Sequence, residues 1–252
     1  MRMENLWKRA PVGKLTLRGK HRVICGDCTV KEDVDRLIEG NNVDMVFTDP
    51  PYGMDLDTDF SKRGNTGLKH ERVIGDGADF KEELITSIFT VEAKEVFIFG
   101  ADYFAQLLPN RNSGSWVVWD KRSKGDEGIG ITDGQFGSDF ELCWSKNKHK
   151  RELARVLRPT GYYAARTDDK ACHPTQKPTA LAEWFFERWG KETKTVLDFY
   201  LGSGSTLIAC EKTNRKCYGM EIEPLYCDVI IDRFIKFSGK RVVREDGMDW
   251  AS

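Results

Sequence analysis

Val43-Asp44-Met45-Val46-Phe47-Thr48-Asp49-Pro50-Pro51-Tyr52 is the stretch that decides how this chain is read. A short apolar run stops at a carboxylate and two consecutive prolines, the pattern of a buried parallel strand delivering polar groups to the rim of a sheet. The prolines fix φ, remove two backbone donors and hold the preceding residue out of the helical region, so the chain leaves the strand extended and stiff. What results is a ledge with one carboxylate, free carbonyl acceptors and one aromatic ring, a set that suits a flat ligand bearing an amino group. The plainer reading is a strand-ending turn with a core tyrosine. A second strand end has the same design: Thr195-Val196-Leu197 runs into Asp198-Phe199-Tyr200-Leu201-Gly202-Ser203-Gly204-Ser205. Ligands of open α/β sheets bind at such ends, and the two are expected to meet.

At 252 residues the chain is long enough for one large α/β domain with a full core, and a single domain over 1–252 is expected. A net charge of -1 argues against a protein that coats nucleic acid nonspecifically, so any DNA contact must come from a local patch. The first residues lack an apolar core of signal-peptide length, and no run reaches the roughly eighteen apolar residues of a membrane span. The reading is a soluble cytoplasmic protein with no membrane partner. Seven cysteines without regular spacing fit a reducing compartment in which Cys fills apolar space. Cys25-x-x-Cys28 lacks a second pair, and no metal is expected.

Around the two strand ends the chain reads as alternating strands and helices. Lys20 to Asp27 predicts a strand ending in Gly-Asp. Thr29-Val30-Lys31-Glu32 has capping-box spacing and opens a helix over Val34, Leu37 and Ile38 that ends at Gly40. This βαβ unit places Asp27 on the same rim as Asp49. The polar stretch 53–79 has no sustained apolar period and reads as a mobile loop beside the target pocket. Asp79-x-x-Glu82 predicts a second capped helix, Glu95 to Gly100 a buried strand, and Tyr103 to Leu108 a short helix stopped by Pro109. Ser115–Lys121 and Asp139–Ser145 read as an antiparallel part of the sheet, with Trp116, Trp119 and Trp144 as core residues. Lys146, Lys148, Lys150, Arg151, Arg155 and Arg158, interleaved with Tyr162 and Tyr163, form the most basic and aromatic region and are the candidate phosphate contacts. His173-Pro174-Thr175-Gln176-Lys177-Pro178 precedes a helix with Pro178 in its first turn, where free amides and Lys177 favour an anion. Lys216 to Glu221 forms a strand that ends in an acid about 20 positions after Asp198, the spacing at which a dinucleotide fold places an acid on ribose hydroxyls. Pro224 opens a last helix.

Asp49-Pro50-Pro51-Tyr52 resembles the catalytic motif of the amino-methyltransferases that act on adenine N6 or cytosine N4 in DNA. Asp198 to Ser205 resembles that family's S-adenosylmethionine loop, with Phe199 and Tyr200 where Pro and Phe are usual and Ser205 in place of Thr. The catalytic motif comes first, the order of the permuted β class. The resemblance implies an α/β fold: a Rossmann-like, doubly wound mixed sheet with helices on both faces, an antiparallel hairpin and circularly permuted methyltransferase order. It implies Asp49, Pro50, Pro51 and Tyr52 as catalytic residues. It implies Asp27, Asp198, Gly202, Ser203, Gly204, Ser205 and Glu221 as contacts of S-adenosylmethionine, with His173, Thr175 and Lys177 at its methionine end. His21-Arg22 and Gly26-Asp27 match an opening common in the family. The segment 146–171 falls where that class carries its target-recognition segment, although it is short for that role. The implied partner is double-stranded DNA, with the enzyme a monomer or homodimer, alone or accompanied by a cognate restriction endonuclease.

Asp at the first motif position resembles the adenine enzymes, since the cytosine enzymes commonly carry Ser there. The alternatives are a cytosine N4 enzyme, an RNA adenine N6 methyltransferase and an inactive DNA-binding partner. A methyltransferase acting on protein glutamine has its cofactor loop first. A dehydrogenase would need a third glycine after Gly204 and would leave the proline ledge unexplained.

Overall fold

The computed structural model describes residues 20–55, 73–78, 80–110, 112–121, 138–156, 176–244, 247 and 249–250. Eight strands form one sheet: β1 (Arg22–Cys25), β2 (Met45–Thr48), β3 (Glu95–Phe99), β4 (Ser115–Asp120), β5 (Phe140–Ser145), β6 (Leu153–Arg155), β7 (Thr195–Asp198) and β8 (Lys216–Glu221), in the order β1-β8-β7-β2-β3-β5-β4-β6. The strands β1, β8, β7, β2 and β3 are mutually parallel, whereas β5 runs against both β3 and β4. The expected antiparallel pair is therefore present, but β5 alone opposes the sheet, because β6 adds to β4 in parallel.

The helices are α1 (Lys31–Ile38), α2 (Glu83–Thr86, continuing as a 3₁₀ turn over Ser87–Thr90), α3 (Thr179–Trp189), α4 (Ser205–Lys212) and α5 (Pro224–Ser238). Successive strand residues point to opposite faces, and here both faces are covered. Met45, Phe47, Phe97 and Val196 pack with Leu181, Phe185 and Phe186 of α3, Leu207 of α4 and Ile230 of α5. Val46, Val96, Ile98 and Leu197 pack with Val34 and Leu37 of α1 and with Ile85 and Ile88. That double cover explains why the strands read as continuous apolar runs. No helix among the described residues is long and apolar enough to cross a membrane.

β7 continues through α4 to β8 on one side, and β2 continues through α2 to β3 on the other. The neighbours β2 and β7 thus flank the point where the winding reverses, the place where open α/β sheets hold ligands. β1 joins β2 across two intervening strands of the same direction, which brings Asp27 and Asp49 to one rim.

Three local expectations need correction. The capping box at Thr29 is not made: Asp27 Oδ1 takes both the Thr29 amide and hydroxyl, at 2.8 and 2.7 Å, so α1 starts at Val30 without a side-chain cap. Tyr103 to Leu108 holds only a 3₁₀ turn over Ala105–Leu107, because Pro109 keeps Leu108 extended. Pro178 caps α3 from outside rather than sitting in its first turn. Asp79 lies outside the described residues, and α2 begins without a side-chain cap.

Candidate active site

The two strand ends meet through a threonine. Thr48, the last residue of β2, donates its hydroxyl to Asp198 Oδ1 at 2.8 Å and accepts the Phe199 amide at 3.3 Å. Asp49 follows at once, close enough for its charge to act on Asp198. Beyond the prolines, Asp76 Oδ1 accepts the amides of Tyr52, Gly53 and Met54 at 3.0, 3.1 and 3.3 Å. This buried carboxylate holds the turn after the prolines, and it ties one described end of the stretch 53–79 to that turn. Most of the stretch, including any test of its mobility, lies outside the described residues.

The Tyr52 hydroxyl donates to Asp49 Oδ1 at 2.6 Å, which fixes the carboxylate's orientation. The ring rests against Gly100, where φ is 62° and a Cβ would come within 2.1 Å of Tyr52 Cε1. Only glycine fits there, both for the positive φ and for the ring. Tyr103, itself 53% exposed, stacks on Tyr52 with centroids 5.2 Å apart and planes 11° from parallel.

Lys177 sits on the other oxygen. Its ammonium pairs with Asp49 Oδ2, lies 3.1 Å from Glu141 Oε2 and packs over the Phe99 ring at 4.9 Å. Glu141 Oε1 is held in turn by Lys121 at 2.6 Å. Burial pushes Asp49 above the usual carboxylate range, and Lys177 offsets this in part. Burial acts on Glu141 in the same sense, yet the cations Lys177 and Lys121 prevail and hold it at about 2. Lys177, expected at the methionine end of the cofactor, has its charge on the Asp49 carboxylate in this structure. Its carbonyl does reach the glycine bend, accepting the Ser205 hydroxyl at 2.7 Å.

The bend itself is shaped by glycines with φ of 53° at Gly202 and 81° at Gly204, the latter the N-cap of α4. Glu221, at the end of β8, accepts the Gly202 amide at 2.8 Å and the Glu223 amide at 3.0 Å. Burial raises it to about 7 against those two donors. Asp198 is raised to about 6 by burial, although Thr206, Thr48 and the Tyr200 amide hydrogen-bond to it. Asp27 stands on the neighbouring strand end, where Cys25 pairs with Glu221 and the Gly26 amide donates to the Glu221 carbonyl at 3.0 Å. Ser203 and Ser205 lie 3.2 Å apart, and Arg233 donates to both hydroxyls. Two of the three departures from the expected loop are structural: Phe199 is buried in the core, and Tyr200 donates to the Leu84 carbonyl while accepting from the Cys28 thiol.

Carboxylates therefore flank the bend at Asp27, Asp198 and Glu221. Such a set suits a ligand with hydroxyls and positive charge and repels a pyrophosphate. His173 and Thr175 lie outside the described residues.

The basic segment divides. Lys146 donates its amide to Val96 and its ammonium to the Ala93 carbonyl, so it lies at the start of β3, on the rim opposite Asp49. Lys148 is beside it, since His149 donates its amide to Ser115 at the start of β4. Lys150 and Arg151 lead along the sheet edge into β6, and Arg155, paired with Asp120, alone among the described members reaches the catalytic rim. Arg158, Tyr162 and Tyr163 lie outside the described residues. Sequence reasoning missed Asp76, Gly100, Tyr103, Lys121 and Glu141. Asp76 had a signal, a carboxylate between two glycines in a loop; Glu141 had one too, an acid inside an apolar strand.

A family model described as DNA methylase matches residues 103–232. The type II methyltransferase M.HpaI of Haemophilus parainfluenzae is 26% identical over 231 residues, 78% of this chain and 69% of that protein. The orphan methyltransferase M.BamHII of Bacillus amyloliquefaciens is 37% identical over 76 residues, 30% of this chain and 29% of that protein. Among solved structures, the M1.HpyAVI–SAM complex superposes with a TM-score of 0.52 at 22% identity, covering 84% of this chain and 98% of that one. The cytosine-N4-specific PvuII DNA methyltransferase gives 0.55 at 17% identity, covering 89% and 90%. Both likenesses show the fold, which is the α/β Rossmann-like methyltransferase fold. Since the family model covers more than half of the chain, this protein belongs to the DNA methylase family of the N6-adenine and N4-cytosine type.

Proposed function

We propose that the protein transfers a methyl group from S-adenosylmethionine to the exocyclic amine of a base in double-stranded DNA, and that the base is adenine. The observation that carries this reading is the Thr48–Asp198 hydrogen bond at the reversal of the winding, which sets a carboxylate ledge beside a glycine bend flanked by acids. Glu221 and Asp27 would hold the cofactor's hydroxyl-bearing and adenine parts, and Gly202 to Ser205 would give the close backbone approach. The cofactor supplies a methyl already activated by its sulfonium, so no metal or covalent nucleophile is needed.

The protein's own work is placement. An exocyclic amine is a poor nucleophile because its lone pair is delocalised into the ring. The Asp49 carboxylate and the Pro50 carbonyl would accept its two hydrogens, which favours a pyramidal nitrogen with its lone pair directed at the methyl. With Tyr52 holding Asp49 Oδ1 and Lys177 on Oδ2, the amine hydrogen would be accepted by a remaining lone pair of this oriented carboxylate. The Tyr52–Tyr103 stack supplies the aromatic surface beside it, with Tyr103 open to solvent. The proton released after transfer would pass to Asp49, whose affinity for a proton is raised by burial. A paired base cannot reach this ledge, so it must be flipped out of the duplex at a cost of a few kcal/mol.

Asp49 at the head of the motif supports adenine over cytosine. The test is expression in a host lacking adenine methylation, followed by mapping of modified bases. N6-methyladenine at a defined sequence is expected. N4-methylcytosine would overturn the choice of base. Unmodified DNA together with label transferred to RNA would overturn the choice of nucleic acid.

A further inference from the structure

Lys177 joins the two halves of the site. Its carbonyl accepts from Ser205 in the glycine bend, and its ammonium lies on Asp49 at the ledge. Glu141 stands behind that ammonium at 3.1 Å in an ion-pair contact that is not aligned as a hydrogen bond, so Lys177 is turned toward Asp49 and shared with Glu141. Lys121 fixes Glu141 from the far side. The ammonium carries three donors on a flexible stem in a wall of Phe99, Trp119 and Tyr52. An acceptor buried beside Asp198 and Glu141 would take up a proton and turn into a donor, which would repel the target amine's hydrogens.

We propose that Lys177 is the positioning residue that keeps Asp49 a bare acceptor for the target amine, and that Glu141, braced by Lys121, governs how much of the Lys177 charge Asp49 receives. This rests on the reading of Asp49 given above, and it assigns Lys177 to the ledge rather than to the cofactor. Among the described residues, the titratable and charged groups facing Asp49 are Lys177 before α3, Glu141 and Cys143 on β5, Asp198 on β7 and Tyr52, with Lys121 acting through Glu141. Lys177 favours the ionised form of Asp49, whereas Glu141 and Asp198 oppose it. Removing Lys177 or Glu141 must therefore move Asp49 in opposite directions.

The experiment records kcat/KM against pH for methylation of a DNA duplex by wild type, Lys177→Met, Lys177→Arg and Glu141→Gln. It is paired with ¹³C NMR titration of the Asp49 carboxyl without DNA and with calorimetric titration of S-adenosylmethionine. Activity needs Asp49 ionised, so Lys177→Met should shift the acidic limb upward by about one pH unit and Glu141→Gln downward. Lys177→Arg should restore the wild-type limb, and cofactor affinity should stay within about threefold throughout. Shifts in the same direction, or none, would overturn the proposal, as would a tenfold loss of cofactor affinity in Lys177→Met with an unmoved limb. If Lys177→Met does not fold, Glu141→Gln still decides through the direction of its shift. If wild type methylates no nucleic acid, the functional reading fails, while the NMR titrations still decide whether Lys177 and Glu141 act on Asp49 as stated.

Discussion

The two rims of the sheet each hold a carboxylate beside aromatic rings, and they treat it differently. At the N-terminal end of β3, Glu95 is saturated: Oε1 accepts from Val96, Ser145 and Asn147, and Oε2 from Asn147 Nδ2 and His149. His149 is itself held between Phe97 and Trp189, its ring 4.9 Å from the latter. At the opposite rim Asp49 is raised by burial, Asp198 stands at about 6, Glu221 at about 7, and Glu141 Oε2 has no aligned donor. A saturated carboxylate is a latch. Carboxylates whose protonation is shifted by burial together in one cleft mark a candidate site for a ligand.

Substituting the acid at each rim should separate these roles most widely. Asp49→Ala should lower methyl transfer on the order of 10³-fold with cofactor still bound, checked by labelled-cofactor turnover and calorimetry. Glu95→Ala should leave turnover per folded molecule intact and cost about 3 kcal/mol of stability, a fall of roughly 5–10 °C in Tm by calorimetric melting. Equal effects on turnover would erase the distinction. Next in size is Gly100→Ala, which forces the Tyr52 ring away and strains a backbone at φ of 62°. Single-turnover rates should fall about 10²-fold with cofactor affinity unchanged.

Glu221 should make cofactor affinity depend on pH. Its ionised form accepts hydroxyls, and it is half protonated near pH 7. Affinity should therefore weaken several-fold, at most about tenfold per unit, as pH falls from roughly 7.5 to 6. Calorimetry in buffers of different ionisation heat should show proton release on binding that grows as pH falls through about 7. In the ligand-free protein the same raised carboxyl favours the folded state below about 4.5, and that contribution is lost as pH rises through about 7. The smallest effect concerns the divided basic segment. Arg155→Ala should weaken DNA binding about threefold and reduce the salt slope by about one, whereas Lys148→Ala, on the other rim, should do neither. Salt-dependent anisotropy would read both.

The catalytic rim was legible because its defining residues are contiguous. Asp49 to Tyr52 and Asp198 to Ser205 are rigid or glycine-bearing words at the ends of apolar runs, and the double cover of the sheet makes those runs continuous. The supporting residues are spread through the chain. Asp76 acts on amides more than twenty positions earlier, and Glu141 and Lys121 come from two strands that only the sheet brings beside Lys177. β6 was not legible because Leu153–Arg155 is three residues with no period of its own, a strand only because β4 offers an unpaired edge. The division of the basic segment was not legible either: its composition is uniform, yet its described part runs from one rim to the other. At Thr29 the expected cap is not made because the hydroxyl is turned back to donate to Asp27 Oδ1 rather than forward to accept a helix amide.

The neighbours of β2 and β1 come late. β2 pairs with β7, and Thr48 bonds a residue 150 positions away, while β1 waits for β8. At synthesis rates of about 5–20 residues per second, the strand carrying Thr48 spends roughly ten to thirty seconds outside the ribosome without one of its partners. During that interval β3, α1 and α2 can cover one edge and one face of it, while the edge that β7 takes stays open. The permuted order thus ensures that the two strand ends come together only once residues 195–221 have emerged.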